Sequence, residues 1–395
     1  ESHWIRVALP GCCQVEAYDP WTGASRPVSA QVEAGSTVFA DTLPPAYSKI
    51  YFLRAGAPEC DTSITPPYEH PHRSEPLALV LDCCSYSLNG SDFSPSMEIW
   101  RAQKEIRSAL GMQQVYYNGA PMRYLWVEGE RKKPGTPFAL RLAFSVREAP
   151  DSPCRLAMEA LEALEAAAAL GCRTILTSGQ ASSAPEGLEV LCNGVLCQED
   201  GGWYVDKAIR TLALPKLRPG ENELLVRGDY RGDLELEDLF VTGDFGVNMA
   251  REIVREPDRL HFGDWCAQGY YHYPGDMIYH FTAPAYHPSD GKIVLTLGAH
   301  SAALVQVTVN GQTAGHLFGA GYNSLDITAF LKDGENSVDL RLVGTPRNLF
   351  GPLHQKYTGC TRISWADFRT KGIFYTPDYV LHPYGLMDQV RLLKQ

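Results

Sequence analysis

Apolar and polar positions alternate along much of the chain. In "LVQVTVNG" Val305, Val307 and Val309 fall on one face, with Gln306 and Thr308 on the other. "NSVDLRLVG" repeats the pattern, with Val338, Leu340 and Leu342 set against Asp339 and Arg341. Period two is the mark of half-buried strands. Asn310-Gly311 is a strong hairpin signal, because both residues tolerate positive φ. Gly334 stands where the chain must turn before the returning strand. Dense punctuation by 35 Gly and 27 Pro and short strands between turns favour a sandwich or barrel.

The passage around Asn310 is written twice. "LEVLCNGVLCQEDGGWYVDKAIRTLALPKLRPGEN" ends at Asn222, and "VQVTVNGQTAGHLFGAGYNSLDITAFLKDGEN" ends at Asn336. Each copy has a strand closing in Asn-Gly, at Asn193 or Asn310, then an Asp before an apolar run and a final Gly-Glu-Asn. A unit used twice predicts a structural module used twice. Glu221 and Glu335 in those turns, and Asp206 and Asp326 before the runs, are expected to bond local backbone rather than to catalyse.

One segment departs from the strand pattern. "CRLAMEALEALEAAAALG" at 154–171 is rich in Ala, Leu and Glu and ends in Gly171, which propensity reads as a helix with a glycine cap. Its first half also fits a strand opening the earlier repeat. The expected fold is all-β: tandem jelly-roll β-sandwiches, a short β-domain remnant at the N-terminus, and one helical insertion near 154–171. The expected boundaries are 1–58 for the remnant, 59–76 for a Pro-rich connector, and 77–245 for the first sandwich. A linker at 246–259 and the second sandwich at 260–395 complete the chain.

Composition narrows the function classes. At 395 residues, 45% hydrophobic and 21% charged, the chain suits two or three globular domains of about 100–200 residues each. Its net charge of −11 gives no footing for phosphate or nucleic-acid binding. No apolar run reaches the ~20 residues that span a bilayer, so no membrane partner is expected. Eleven cysteines occur without a Cys-x-x-Cys pair, so no metal or other cofactor is expected. Buried reduced thiols and the absence of a signal pattern lead to an expectation of a cytoplasmic protein. The start at Glu1 rather than Met suggests a fragment or processed form, or a removed tag.

Several stretches resemble the sugar-binding β-sandwich region of glycoside hydrolase family two-like bacterial proteins, including relatives of the α-L-rhamnosidases. They are "GWYVDKAIRTLALPKLRPGENELLV", "LEDLFVTGDFGV", "GDWCAQGYYHYPGDMIYHF" and "VTVNGQTAGHL" with "LDITAFLKDGEN". "NLFGPLHQK" and "YVLHPYGLMDQVRL" look like the C-terminal end of such chains, and "VEAYDPWTGASRPV" like the close of a preceding β domain. The resemblance covers about 77–395 well. It implies two galactose-binding-like jelly rolls, a catalytic domain upstream in the same chain, and a carbohydrate partner. The Ala/Glu-rich insertion departs from that pattern.

Candidate chemistry follows from residue types. A glycosidase needs two carboxylates about 5–5.5 Å or 6.5–9.5 Å apart. With 46 acidic residues a pair is not excluded, but none stands in a recognisable setting. No Gly-x-Ser-x-Gly elbow occurs, "FGAGYNS" follows no βα unit, and His70 and His72 in "YEHPHR" read as a solvated pair. Sugar recognition asks for aromatic faces beside hydrogen-bonding groups. "DWCAQGYYHYPGD" supplies Asp264, Trp265, Gln268, Tyr270, Tyr271, His272 and Tyr273. Further candidates are Trp203 with Tyr204 and Asp206, Arg347, Asn348, His354 and Gln355, and Trp365 with Asp367. The competing expectation is that these aromatics fill cores and seams.

Three functions therefore stand at the level of sequence. The first is a non-catalytic, carbohydrate-binding or active-site-shaping part of a larger glycoside hydrolase. The second is a purely structural or interface role. The third is a self-contained glycosidase with an unrecognised carboxylate pair.

Overall fold

The computed structural model describes residues 3–394 except 19, 21–22, 24, 29, 44–47, 58–62, 65–71, 113, 115–134, 160–187, 233, 235, 259, 288–290, 319–322, 357–362 and 364–366. Strands dominate, in tandem β-sandwiches. At the N-terminus two small sheets close over Val15, Ala30 and Phe39. One contains His3–Pro10, Ser36–Leu43 and Gln31–Glu33, and the other Ser25–Val28, Cys13–Tyr18 and Ile50–Ala55.

The next sandwich pairs a large sheet with a five-stranded one. The large sheet runs Met97–Glu98, Cys83–Leu88, Thr136–Val146, Gly220–Tyr230, Glu189–Cys192, Val195–Leu196. The five-stranded sheet runs Gln198–Tyr204, Asp206–Ala213, Arg155–Met158, Leu239–Gly243, Leu77–Leu81. Thr136–Val146 shows why it is a strand: Phe138, Leu140, Leu142, Phe144 and Val146 are buried and the residues between them face out. The last sandwich sets Gln312–Leu317, Leu304–Val309, Gly334–Val343, Met277–Tyr286 and His72–Arg73 against Ser324–Asp326, Ile293–Leu297, Val390–Lys394 and Ser63–Ile64. Val305, Val307, Val309, Val338, Leu340 and Leu342 are all fully buried there, as their alternation predicts.

The repeated passage is one hydrogen-bond device built twice. Asn193-Gly194 and Asn310-Gly311 turn their hairpins with positive φ, 51° and 81° in one and 51° and 78° in the other. The Asn193 amide donates to Asn222 Oδ1 at 2.8 Å, and the Asn310 amide to Asn336 Oδ1 at 2.7 Å. Asn222 donates to the carbonyls of Arg218 and Gly220, and Asn336 to those of Lys332 and Gly334. Asn222 and Asn336 are buried, so these bonds satisfy turn backbone that water cannot reach. Asp326 bonds the backbone and hydroxyl of Thr328, a local role of the kind expected.

Three expectations need amendment. The 154–171 segment begins as a strand, Arg155–Met158, which pairs on both sides within the five-stranded sheet; residues 160–171 lie outside the described residues. A helix also forms at Ile99–Ala109, with Ile99, Ala102, Gln103 and Ile106 turned inward. Burial of that stripe holds it in place. The segments read as connectors also carry strands. Ser63–Ile64 and His72–Arg73 edge the last sandwich, while Gly246–Val247 and Ile253–Val254 attach to the preceding one. His72 is exposed on its edge strand, and His70 lies outside the described residues.

Leu77–Leu81 organises the seam. Its five residues are all buried, because both faces of the strand are covered. Leu77, Leu79 and Leu81 point into the sandwich core. Ala78 and Val80 point the other way and join Ala157, Tyr204, Ile209 and Phe240 beneath Leu349 and Leu353. Residues 347–356 and 375–381 thus lie as a strap across the outer face of the five-stranded sheet, with Phe350, Tyr379 and Leu381 packed at its margin. Cys12, Cys13, Cys83, Cys84, Cys154, Cys192, Cys197 and Cys266 are free thiols, and burial pushes Cys84 and Cys192 up to about 12. No helix among the described residues is long and apolar enough to cross a membrane.

Candidate functional site

The antiparallel ladder between Leu77–Leu81 and Leu239–Gly243 ends at the pair Leu81–Leu239. One residue further on, Asp82 follows the first strand and Asp238 precedes the second. Facing residues of an antiparallel pair lie on the same side of the sheet. Both acids therefore belong to the strap side, and both line one pocket there.

Asp82 is buried and fully engaged. His354 Nε2 donates to its Oδ2 at 2.7 Å, the Tyr379 hydroxyl donates to its Oδ1, and Arg251 Nη1 lies 3.8 Å from Oδ1. Burial opposes its charge, but the bonds from His354 and Tyr379 prevail and hold its pKa below the ordinary 3.8. His354 is the reciprocal case: burial disfavours the imidazolium, Asp82 outweighs it, and the pKa rises above 6.5. Its other nitrogen bonds the Thr376 carbonyl at 3.0 Å. Arg251 bonds the Tyr379 hydroxyl at 2.6 Å and stacks 4.4 Å from the ring centroid. With both imidazole nitrogens and both carboxylate oxygens in use, this group works as a latch between strap and sheet, not as an acid–base pair.

Asp238 differs from its neighbour. Its Oδ1 is sealed from water and has no hydrogen-bond partner among the described residues. Burial, and then the charge on Asp82, keep its pKa well above 3.8, so it stays protonated at neutral pH.

The pocket beside these acids is a shallow cleft of about 30 Å³ that opens to solvent, far below the ~300–1,000 Å³ of an enclosed small-molecule site, so it offers a wall to lie against and not a cavity to fill. The first turn of the Ile99–Ala109 helix brings Trp100 to it. The helix is fixed there by Ile99 N–H donating to the Asp82 carbonyl at 2.7 Å and by buried Arg107 donating to the Gly232 carbonyl at 3.2 Å. Trp100 packs against Phe368, with ring centroids 5.8 Å apart and planes inclined 35°. Glu98, Asp367 and Arg369 complete the polar lining. Glu98 accepts from the Tyr375 hydroxyl and holds that phenol up at about 12. The arrangement is an aromatic wall facing carboxyl groups and a guanidinium.

Of the residues singled out from sequence, His354 and Asp367 line this pocket. The 264–273 stretch lies elsewhere and is closed. Trp265, Tyr270, Tyr271, His272 and Tyr273 are all buried. Trp265 Nε1 donates to the Tyr279 hydroxyl at 2.7 Å, and Tyr273 donates to the Asp276 carbonyl at 2.7 Å. The Tyr270 hydroxyl donates to Glu256 at 3.4 Å. Asp264 Oδ1 accepts from the N–H groups of Cys266 and Tyr384 at 3.0 and 3.1 Å. Gln268 clasps both backbone groups of His261. His272 Nδ1 meets the Asn348 carbonyl at 2.9 Å, and Asn348 bonds both backbone groups of His382. Burial drives the His272 pKa down to about 4. These side chains tie the strap to the last sandwich.

Arg347 is half-buried and reaches the Val380 carbonyl at 3.4 Å. Trp203 is exposed on the edge strand Gln198–Tyr204, whereas Tyr204 beside it is buried and bonds the Pro76 carbonyl. Gln355 is a buried residue of the strap itself, and Trp365 lies outside the described residues. Sequence reasoning missed Asp82, Glu98, Trp100, Asp238, Phe368 and Arg369. The available signal was an Asp abutting an apolar strand in both "LALVLD" and "EDLFV".

No family model and no curated protein matches the chain. Among solved structures it is similar to a rhamnosidase from Novosphingobium sp. PP1Y, at 16% identity over 73% of this chain and 26% of that one, with a TM-score of 0.23. It is also similar to a β-D-mannosidase from Dictyoglomus thermophilum, at 10% identity over 68% and 31%, with a TM-score of 0.26. A third is an α-L-rhamnosidase from Streptomyces avermitilis, solved with L-rhamnose, at 11% identity over 98% and 36%, with a TM-score of 0.25. The chain spans about a third or less of the length of each. The neighbours are glycoside hydrolases.

Proposed function

We propose that this chain is a carbohydrate-binding, non-catalytic part of a larger glycoside hydrolase, and that the pocket under the strap is where it holds sugar. In this reading residues 77–245 and 260–395 are galactose-binding-like jelly rolls that follow a remnant at 1–58, with the catalytic domain elsewhere in the parent chain. The carrying observation is the pairing of an aromatic wall, Trp100 against Phe368, with Glu98, Asp238, Asp367 and Arg369 in one open pocket. An aromatic face takes the C–H side of a pyranose, and the acids and guanidinium take its hydroxyls. The closed 264–273 stretch supports this binding indirectly, by holding the strap that forms one wall.

The test is isothermal titration calorimetry with methyl glycosides of gluco, galacto, manno and L-rhamno configuration, alongside hydrolysis assays on aryl glycosides. Saturable binding by at least one sugar, weakened about tenfold in Trp100→Ala, and no turnover are expected. Absence of binding across the panel sinks the proposal. Turnover lost in Asp238→Asn overturns its non-catalytic part.

A further inference from the structure

We propose that His354 is a proton-dependent pin for the strap: only its doubly protonated ring holds the strap against the sheet, and loss of that proton frees the strap and loosens one wall of the cleft. The ring lies between two groups that accept hydrogen bonds. Its Nε2 is 2.7 Å from Asp82 Oδ2, and its Nδ1 is 3.0 Å from the Thr376 carbonyl. A carbonyl has no proton to give. Asp82 is placed as an ionised carboxylate, with its other oxygen taking the Tyr379 hydroxyl and facing the Arg251 guanidinium 3.8 Å away. Both imidazole nitrogens must therefore donate, and only the imidazolium carries two N–H groups. A neutral ring turns a lone pair toward one of the two oxygens, whichever tautomer it takes.

Those two bonds join three pieces of chain. Asp82 ends the sheet strand Leu77–Leu81, His354 belongs to the first limb of the strap, and Thr376 to the second. The limbs are tied further by Thr376 N–H donating to the His354 carbonyl at 2.9 Å and Val380 N–H to the Leu353 carbonyl at 2.7 Å. Phe350, Leu353 and His354 line the cleft, so the pin also sets the position of that wall. The groups facing the imidazole from the neighbouring elements favour its charge. Asp82 and Glu98, the latter at the head of the helix, both attract it, and Asp238, just before Leu239–Gly243, adds a third carboxyl group to the same cleft. Tyr375 and Tyr379 pack on the ring from the strap, with centroids 6.0 and 4.8 Å away, and both phenols are held above their ordinary 10. Arg251 keeps its charge throughout and reaches Asp82 on Oδ1, the oxygen that His354 leaves free. The hold is complete below the 6.5 of a free imidazole and is lost as pH rises through the higher value set by Asp82.

That the cleft loses sugar when the strap is freed rests on the sugar-binding reading; release of the strap does not. The experiment is amide hydrogen exchange of the full chain between pH 6 and 9, read by mass spectrometry and corrected for the intrinsic pH dependence of exchange. Peptides covering 350–356 and 375–381 are compared with those covering 77–81 and 239–243. Opening of the strap is expected to rise with pH above 6.5 by up to about tenfold per unit, the limit for one proton, while the sheet peptides hold constant. In His354→Gln the rise vanishes; Asp82→Asn serves if glutamine does not fold, since its neutral amide demands no charged ring. Calorimetry with the best-binding methyl glycoside should show affinity falling over the same pH range in the native chain only. Strap exchange that is flat with pH, or that rises equally in both variants, overturns the pin, whether or not sugar binds. A strap that opens with pH in a protein that binds none of the sugars leaves the pin standing and overturns the proposed function. A strap that opens while sugar affinity stays constant overturns the link to the cleft.

Discussion

Two regions of the molecule gather aromatic and polar side chains, and they do opposite things with them. Along 264–273, Trp265 is 1% exposed and its Nε1 is already bonded to Tyr279. Around Trp100 the ring stands half-buried at an open cleft, and Asp238 Oδ1 has no partner among the described residues. The first region is closed to solvent, with most polar tips paired internally and the buried His272 Nε2 left without a partner among the described residues. The second is open. Aromatic and polar residue types are common to both, so composition does not separate a seam from a candidate site. What separates them is access: the rings of the first are sealed in the interior, and Trp100 stands at a cleft open to solvent.

The largest way to break this comparison is Trp265→Ala. It removes a fully buried ring and one of the hydrogen bonds to the Tyr279 hydroxyl, so a loss of about 3–5 kcal/mol is expected in urea unfolding. Sugar affinity of the fraction still folded should be unchanged; a selective loss of affinity with stability intact would place the site at 264–273 after all. Next come the paired asparagines. Asn222→Ala and Asn336→Ala each leave buried turn groups unpaired, and each should cost about 1–3 kcal/mol. Similar values would show that the two sandwiches depend equally on the device; a tolerated Asn336→Ala would break the equivalence.

Smaller effects probe the two acids. Asp238 has a raised pKa, so the folded state holds a proton that the unfolded state releases above about 3.8. Stability from this site therefore falls as pH rises through that region. Asp238→Asn should remove the slope and raise stability at pH 7 by about 1 kcal/mol, the reverse of what loss of a structural carboxylate would do. The two latch residues differ in sign. The lowered pKa of Asp82 contributes stability present above 3.8 and lost on acidification through its folded value. The raised pKa of His354 contributes stability present below 6.5 and lost as pH rises through its folded value. His354→Gln should flatten that alkaline limb, an effect of about 1 kcal/mol read from thermal midpoints between pH 6 and 9.

The fold was largely legible where the signal is local. Period-two alternation at 304–309 and 334–343 located two strands, and Asn310-Gly311 located the hairpin between neighbours. The Asn-to-Asn spacing was readable as repeated turn chemistry because its bonds close within one module. The Ile99–Ala109 helix went unread because Ala and Glu propensity at 154–171 drew more weight than its inward stripe of Ile99, Ala102, Gln103 and Ile106. The pocket was hardly legible. Its lining comes from residues 82, 98–100, 238, 350–354 and 367–370, brought together by a strand register and a strap that no local pattern encodes. His354 was singled out for its hydrogen-bonding type, and the structure gives it a partner 272 positions away in Asp82.

The central claim is that sugar stacks on Trp100 at the mouth of the open cleft. Its most direct measurement is the calorimetric affinity of folded Trp100→Ala for the best-binding sugar of the panel, compared with the native chain. Because Trp100 is half-buried, the variant should fold with little loss of stability, and its affinity should fall by about tenfold, or ~1.4 kcal/mol. A folded Trp100→Ala protein that binds the same sugar with undiminished affinity would contradict the account.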